Sequence, residues 1–159
     1  MTWRRHCASA EDTRTAGAQL AALLHPGDIV LLSGPLGAGK TTLVQGIARG
    51  LGVIERVTSP TFQMVREHQC HNDLGISTLH HADVYRIASV DEVWDLALGE
   101  LVEEAGVAVV EWGELAASLF GRDVLSVALA VDGDEGRTLE VGGGLSLARR
   151  DELARWSGQ

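Results

Sequence analysis

Nine consecutive residues constrain this chain more than any others: Gly34-Pro35-Leu36-Gly37-Ala38-Gly39-Lys40-Thr41-Thr42. They satisfy G-x-x-x-x-G-K-[ST], the pattern in which a glycine-rich turn joins a buried strand to a helix and cradles phosphates. The flanks supply that context. Ile29-Val30-Leu31-Leu32 is an unbroken apolar run, as a strand buried on both faces should be. Leu43, Ile47 and Leu51 then recur at helical spacing. Glycines let backbone N–H groups close on a polyphosphate with no Cβ in the way. A helix beginning near Lys40 aims its free N–H groups and positive dipole end at the same anion. By motif position, Gly34, Leu36, Gly37, Ala38, Gly39, Lys40, Thr41 and Thr42 form the phosphate cradle. Within it, Lys40 reaches the β- and γ-phosphates, and Thr41 offers its hydroxyl to Mg²⁺.

Composition sharpens this reading. Lys40 is the only lysine in the chain; every other strongly basic side chain is arginine. The one place where lysine is kept is the place where a slim point charge suits a tight loop better than a planar fork. With 159 residues, the chain is expected to form a single domain, 1–159, with a substantial core. No apolar run is long enough to span a bilayer, so no membrane partner is expected. Arg4 and Arg5 precede no apolar stretch of the kind a secretory signal needs. Cys7 and Cys70 are far apart and lack metal-ligand spacing, so they read as reduced thiols of a cytoplasmic protein. A formal charge of −9 argues against broad nucleic-acid binding as the main task, although it leaves room for a local arginine patch.

Along the chain, Trp3 to Cys7 reads as a short strand. Ser9 caps a helix whose apolar face is Ala16, Leu20, Leu23 and Leu24. Gly50 and Gly52 stop the helix after the glycine-rich loop. The runs Thr61 to Arg66 and Ile76 to Asp83 predict a hairpin around a polar loop, His68 to Gly75. His68, His71, His80 and His81 lack zinc spacing and read as solvated loop or strand histidines. Ser89-Val90-Asp91-Glu92 is a capping box for a helix with a stripe from Val90 through Trp94 to Ala105, stopped by Gly106. Val107 to Val110 is a buried strand, followed by a short helix to about Leu119. Val124 to Val131 and Arg137 to Val141 flank Gly133-Asp134-Glu135-Gly136 as a second hairpin. Gly142-Gly143-Gly144 then links to a last helix, about Ser146 to Trp156. Crossovers combined with hairpins imply an α/β fold. It is a P-loop NTPase three-layer sandwich with a mixed, mostly parallel sheet and β-hairpins.

P-loop enzymes place an acid at the end of an apolar strand as the second element of the metal site. Two strands offer one: Asp83 closes the run from Thr78, and Glu111 closes Val107 to Val110. Lys40, Asp83 and Glu111 are therefore the candidate catalytic residues. A Ras-type GTPase needs an Asn-Lys-x-Asp clamp, which a chain with a single lysine in its P-loop cannot contain. The Leu-Ser-Gly-Gly-x signature of ABC-type ATPases is also missing. A free-standing kinase of a small metabolite stays open, with Arg149, Arg150 and Arg155 as its only lid candidates. A nucleotide-binding regulatory module without turnover fits less well, because both acids are present.

Four blocks in this order carry a resemblance: Gly34-x-Leu36-Gly37-Ala38-Gly39-Lys40-Thr41-Thr42, Ser59-Pro60-Thr61-Phe62, His81-Ala82-Asp83-Val84-Tyr85-Arg86 and Val110-Glu111-Trp112-Gly113-Glu114. Together they resemble the TsaE (YjeE) family, small bacterial ATPases of tRNA threonylcarbamoyladenosine synthesis, from about Thr13 to Arg137. Pro35 departs from many members, which have an acid there, and leaves the glycine and lysine positions intact. The resemblance implies a cytosolic, ATP- and Mg²⁺-dependent subunit that joins a TsaD–TsaB pair. That pair modifies adenosine 37 of tRNAs reading ANN codons, and the tRNA would be contacted mainly through these partners. It also implies that Thr41 and Glu111 hold Mg²⁺ and that Asp83 positions or activates the attacking water. Ser59 to Phe62 would act as a switch-like segment, and Trp112 would pack beside the site. Ala10, Gly136 and Arg137 would approach the adenine.

Overall fold

The computed structural model describes residues 2–35, 37–58, 65–83, 100, 102–111, 124–143 and 147–158. Their elements, in chain order, are β1 (Trp3–Cys7), α1 (Ala10–Ala21), β2 (Ile29–Ser33), α2 (Lys40–Gly50), β3 (Val65–Gln69), β4 (Thr78–Asp83), β5 (Gly106–Glu111), β6 (Leu125–Asp132), β7 (Gly136–Gly143) and α3 (Leu147–Ser157). The strands form one seven-stranded sheet in the order β1-β7-β6-β2-β5-β4-β3.

The apolar runs lie at the centre. β2 pairs in parallel with both β5 and β6, and β4 pairs in parallel with β5. β7 and β3 run against their neighbours and form the two hairpins, with β1 closing one edge antiparallel to β7. The sheet is thus mixed, with most of its strands running one way. β6 alternates as a strand covered on one face must: Leu125, Val127 and Leu129 are buried, while Ser126, Ala128 and Ala130 are exposed. From β2 the chain reaches β5 on one side and β6 on the other. This reversal of strand order opens a crevice at the carboxyl edge of β2, the usual ligand position in such sheets.

Packed against this sheet, α1 and α2 share a core with Val30, Leu32, Val107, Val109, Leu125 and Val127. The Ser9 hydroxyl accepts from Asp12 N and caps α1 as the sequence suggests. α3 docks beside α1 and β1. Trp156 Nε1 donates to Ala16 O at 3.0 Å, Arg5 stacks over the Trp156 ring, and Arg149 pairs with Asp28. Both cysteines are free and buried, and burial pushes the Cys70 thiol up to about 11. Among the described residues, no helix is long and apolar enough to cross a membrane.

Several expectations need correction. The first strand of the β3–β4 hairpin is Val65–Gln69, so His68 belongs to a strand and not to the loop. His68, His80 and His81 are buried and not solvated; His71 alone of the four is exposed. The four residues Leu79 to Ala82 of β4 are all buried, so neighbouring His80 and His81 are both enclosed although their side chains point to opposite faces. Gly142 and Gly143 are the end of β7, with Gly142 opposite Ser126, and not a flexible link. Residues 102–105 form turns, so the helical stripe does not reach Ala105. The rest of that helix, the short helix to Leu119, the segment Ser59 to Phe62, Val84-Tyr85-Arg86 and Trp112 lie outside the described residues. So does the second helical layer that a three-layer sandwich would draw from those helices.

Candidate functional site

β2 ends at Ser33, and residues 34–39 turn the chain into α2. Gly34, Gly37 and Gly39 have φ of 145°, 80° and 94°, backbone that L side chains rarely adopt. Gly34 is constrained twice, because a Cβ there would lie 2.6 Å from Leu129 O. Gly37 has open space around it, so its dihedral alone demands glycine. Ala38 N donates to Pro35 O at 3.0 Å and closes the turn. Leu36 lies outside the described residues.

α2 starts after Gly39, which supplies no side-chain cap, and no acid stands in the first turn. Its first N–H groups are left to bind an anion. Lys40 is the first helical residue and is buried. Its Nζ donates to Gly34 O at 2.7 Å and Pro35 O at 3.0 Å, which holds the ammonium across the loop.

β7 supplies a second grip on the loop. Arg137 Nε donates to Ala38 O at 3.0 Å and Nη2 to Gly37 O at 3.1 Å, while Nη1 donates to Gly136 O at 2.7 Å. The planar fork satisfies two successive loop carbonyls at once, which a lysine could not do in that geometry. Ala10 and Arg137 meet Thr13, Gly39 and Thr42 around a small cleft of about 140 Å³. Two of the residues expected near an adenine are therefore together beside the loop. Gly136 adjoins them, with no room for a Cβ, which would fall 2.2 Å from Asp132 O.

The acids arrive on the other side. In the β4–β5 ladder, His81 is opposite Val109 and Asp83 opposite Glu111. Period-two alternation therefore puts His81, Asp83 and Glu111 on one face. Glu111 is 3 % exposed. Its Oε1 accepts from Thr41 Oγ1 at 3.1 Å, linking the end of β5 to the first turn of α2. Its Oε2 lies 2.5 Å from His81 Nε2. The structure thus brings Lys40, Thr41, Asp83 and Glu111 to one edge of the sheet. Strand parity could have drawn His81 into this group from the sequence, because it stands two residues before Asp83.

The donor set suits a small hard cation. Thr41 Oγ1 and Glu111 Oε1, both oxygens, are 3.1 Å apart. Two adjacent ligands of an octahedral Mg²⁺ with bonds of 2.0–2.1 Å stand about 2.9 Å apart. Among the described residues, no group of three or more His, Cys, Asp or Glu could hold a metal by itself.

Comparison with known proteins agrees with the resemblance read from the four blocks. Residues 7–139 match the family model described as "Threonylcarbamoyl adenosine biosynthesis protein TsaE". The tRNA threonylcarbamoyladenosine biosynthesis protein TsaE of Treponema pallidum is 41% identical over 133 residues, which cover 84% of this chain and 95% of the relative. The protein of the same name from Bacillus subtilis is 39% identical over 139 residues, covering 87% of this chain and 83% of the relative. The crystal structure of Bacillus subtilis YdiB superposes with a TM-score of 0.74 at 30% identity, covering 98% of this chain and 95% of that one.

Proposed function

This chain belongs to the TsaE family, and from that premise we propose that it is the ATP-hydrolysing subunit of a tRNA-modifying assembly. It functions in threonylcarbamoyladenosine biosynthesis, as its relatives' names state. The finer reading is that it binds ATP with Mg²⁺, hydrolyses it slowly alone, and acts in the cytoplasm with a TsaD–TsaB pair that modifies adenosine 37 of tRNAs reading ANN codons. The observation that carries the nucleotide part is the Thr41–Glu111 junction at the mouth of the glycine-rich loop, with Asp83 directly across the ladder from Glu111.

In this reading the chain's own groups divide the work. Loop N–H groups and the start of α2 bind the polyphosphate, and Lys40 places its ammonium where charge builds on the γ-phosphoryl oxygens. Arg137 keeps the loop carbonyls turned away from the phosphates, toward β7. Thr41 and Glu111 would hold Mg²⁺, which would supply positive charge against the phosphates. Asp83 orients the attacking water and accepts its proton as the water oxygen bonds to the γ-phosphorus and the bond from that phosphorus to the β,γ-bridging oxygen breaks, releasing ADP and phosphate. The cleft beside Ala10, Thr13 and Arg137 takes the base.

Two sets of results test this. Mg-ATP at about 100 times its Kd should stabilise the fold by roughly 2.7 kcal/mol, a rise of about 5–10 °C in Tm for a domain of this size. Guanine nucleotides should do less; an equal rise with GTP counts against an adenine site. Glu111→Ala should raise the Mg²⁺ concentration needed for hydrolysis, whereas Asp83→Asn should bind nucleotide and turn over at least about 100-fold more slowly. Wild-type rates from both variants across a Mg²⁺ titration would remove the assignment.

The partner part is tested by titration against a purified TsaD–TsaB pair. ATP-loaded protein should bind more tightly than ADP-loaded protein, by the coupling free energy between the two sites. The −9 charge of this chain leaves most contact with tRNA to the partners. Equal affinity in both nucleotides, with hydrolysis unchanged on mixing, would overturn the gated-subunit reading. Stoichiometric phosphate transfer to an added metabolite would instead support a kinase.

A further inference from the structure

Glu111 must present one particular oxygen to Thr41, and a carboxylate at the end of a strand can rotate about its side-chain torsions. The structure shows what prevents this. Oε1 faces Thr41 Oγ1 at 3.1 Å, and Oε2 is held by His81 Nε2 at 2.5 Å. His81 is 0% exposed, and its ring lies one strand away on the same face of the β4–β5 ladder. Its other ring nitrogen, Nδ1, is buried with no hydrogen-bond partner among the described residues. A structural histidine ordinarily uses both nitrogens, because leaving a buried polar atom unpaired costs about 1–3 kcal/mol. Among the described residues, the hydrogen bond that His81 makes goes to Glu111.

We propose that His81 is a positioning residue for the cation site. It donates Nε2–H to Glu111 Oε2 and so fixes the carboxylate with Oε1 toward Thr41. This inference rests on the reading that Thr41 and Glu111 hold Mg²⁺, and it extends that reading to the residue that holds the other oxygen of Glu111. The role resembles that of outer-shell partners elsewhere, which orient a ligating group without touching the ion.

The geometry also says which replacements can substitute. A glutamine amide reaches about as far along the chain as the imidazole Nε2 and carries N–H donors; leucine fills comparable volume with no donor. The experiment measures nucleotide affinity by calorimetry, with Mg²⁺ and with a chelator, for wild type, His81→Leu and His81→Gln. Thermal unfolding without nucleotide is recorded for all three. For His81→Leu the expected result is a loss of most of the Mg²⁺-dependent gain in affinity, about 10- to 100-fold, the range typical of outer-shell partners. Affinity measured in chelator should stay within about twofold, because the loop and Lys40 are untouched. His81→Gln should recover most of the gain.

The outcomes separate the inference from the reading beneath it. If wild type binds nucleotide no better with Mg²⁺ than without, the metal reading fails and this inference falls with it. If wild type gains from Mg²⁺ and His81→Leu gains as much, His81 does not position Glu111. If both variants lose affinity equally with and without Mg²⁺, the residue is merely structural, and the proposal is overturned. Should His81→Leu fail to fold, His81→Gln against His81→Asn carries the same comparison. Asparagine is too short to reach Glu111, so an Asn variant that keeps the full Mg²⁺ gain would overturn it as well.

Discussion

Lys40→Ala is expected to unfold at nearly the wild-type temperature without nucleotide, yet to lose ATP hydrolysis by at least about 10²–10³-fold, the usual cost of one preorganised transition-state donor. The fold should survive because the ammonium serves the loop and not the core. Its Nζ donates to the carbonyls of Gly34 and Pro35, at the carboxyl edge of the sheet. Those carbonyls stand where water can replace the lost bonds. Catalysis should not survive, because Lys40 is the only lysine in the chain and no other ammonium can stand in. Lys40→Arg should also be impaired: a planar fork cannot occupy the buried position between two loop carbonyls that a single nitrogen fills. The check is paired: hydrolysis rate, and the rise in Tm that nucleotide produces. Wild-type values for both from Lys40→Ala would mean that the loop does not bind phosphate.

The parts legible in the sequence were those specified by local chemistry. Ser9 caps α1, the apolar runs became β2 and β5, and Gly133 to Gly136 turned β6 into β7. Each depends on propensities that act within a few residues. The positions of Glu111 and Asp83 at strand ends were legible because an acid that ends an apolar strand is visible in one dimension. That they lie opposite each other is a matter of register, which needs the pairing of β4 with β5. His81 was misread for the same reason. Its parity with Asp83 is visible in sequence, but its contact with Glu111 depends on the pairing of β4 with β5. The resemblance implies a base contact for Arg137, while its observed bonds go to the loop's own carbonyls. Long-range hydrogen bonds of this kind, between residues about a hundred positions apart, leave no local signature.

The helix crossing behind the loop was also invisible in sequence, and it carries the second large effect. Gly46→Ala is expected to lower stability by about 2–4 kcal/mol, although helix propensity alone predicts a gain of up to about 1 kcal/mol. A Cβ at Gly46 would lie 2.1 Å from Arg14 O, with the Cα and carbonyl carbon of Arg14 also within 2.8 Å. These are backbone atoms of α1 and cannot swing aside as a flexible side chain would. The crossing is built from such approaches. A Cβ at Gly17 would meet Leu43 O at 2.6 Å, and one at Gly50 would meet Ala18 O at 2.6 Å. Relief requires α1 and α2 to move apart. α1 is tied to the C-terminal helix through Ala16 and Trp156, and α2 begins at Lys40 and Thr41. Separation would therefore both open the core and shift Thr41 against Glu111. The corresponding fall in Tm is about 5–15 °C for a domain of this size. Gly133→Ala serves as the control: its φ is 78° with nothing within 4 Å of the added Cβ, so it should cost only the roughly 1–2 kcal/mol of left-handed backbone. A Gly46→Ala protein as stable as wild type would mean that the helices do not cross at backbone contact, whereas one that is destabilised and also loses Mg²⁺-dependent nucleotide affinity would tie the crossing to the placement of Thr41.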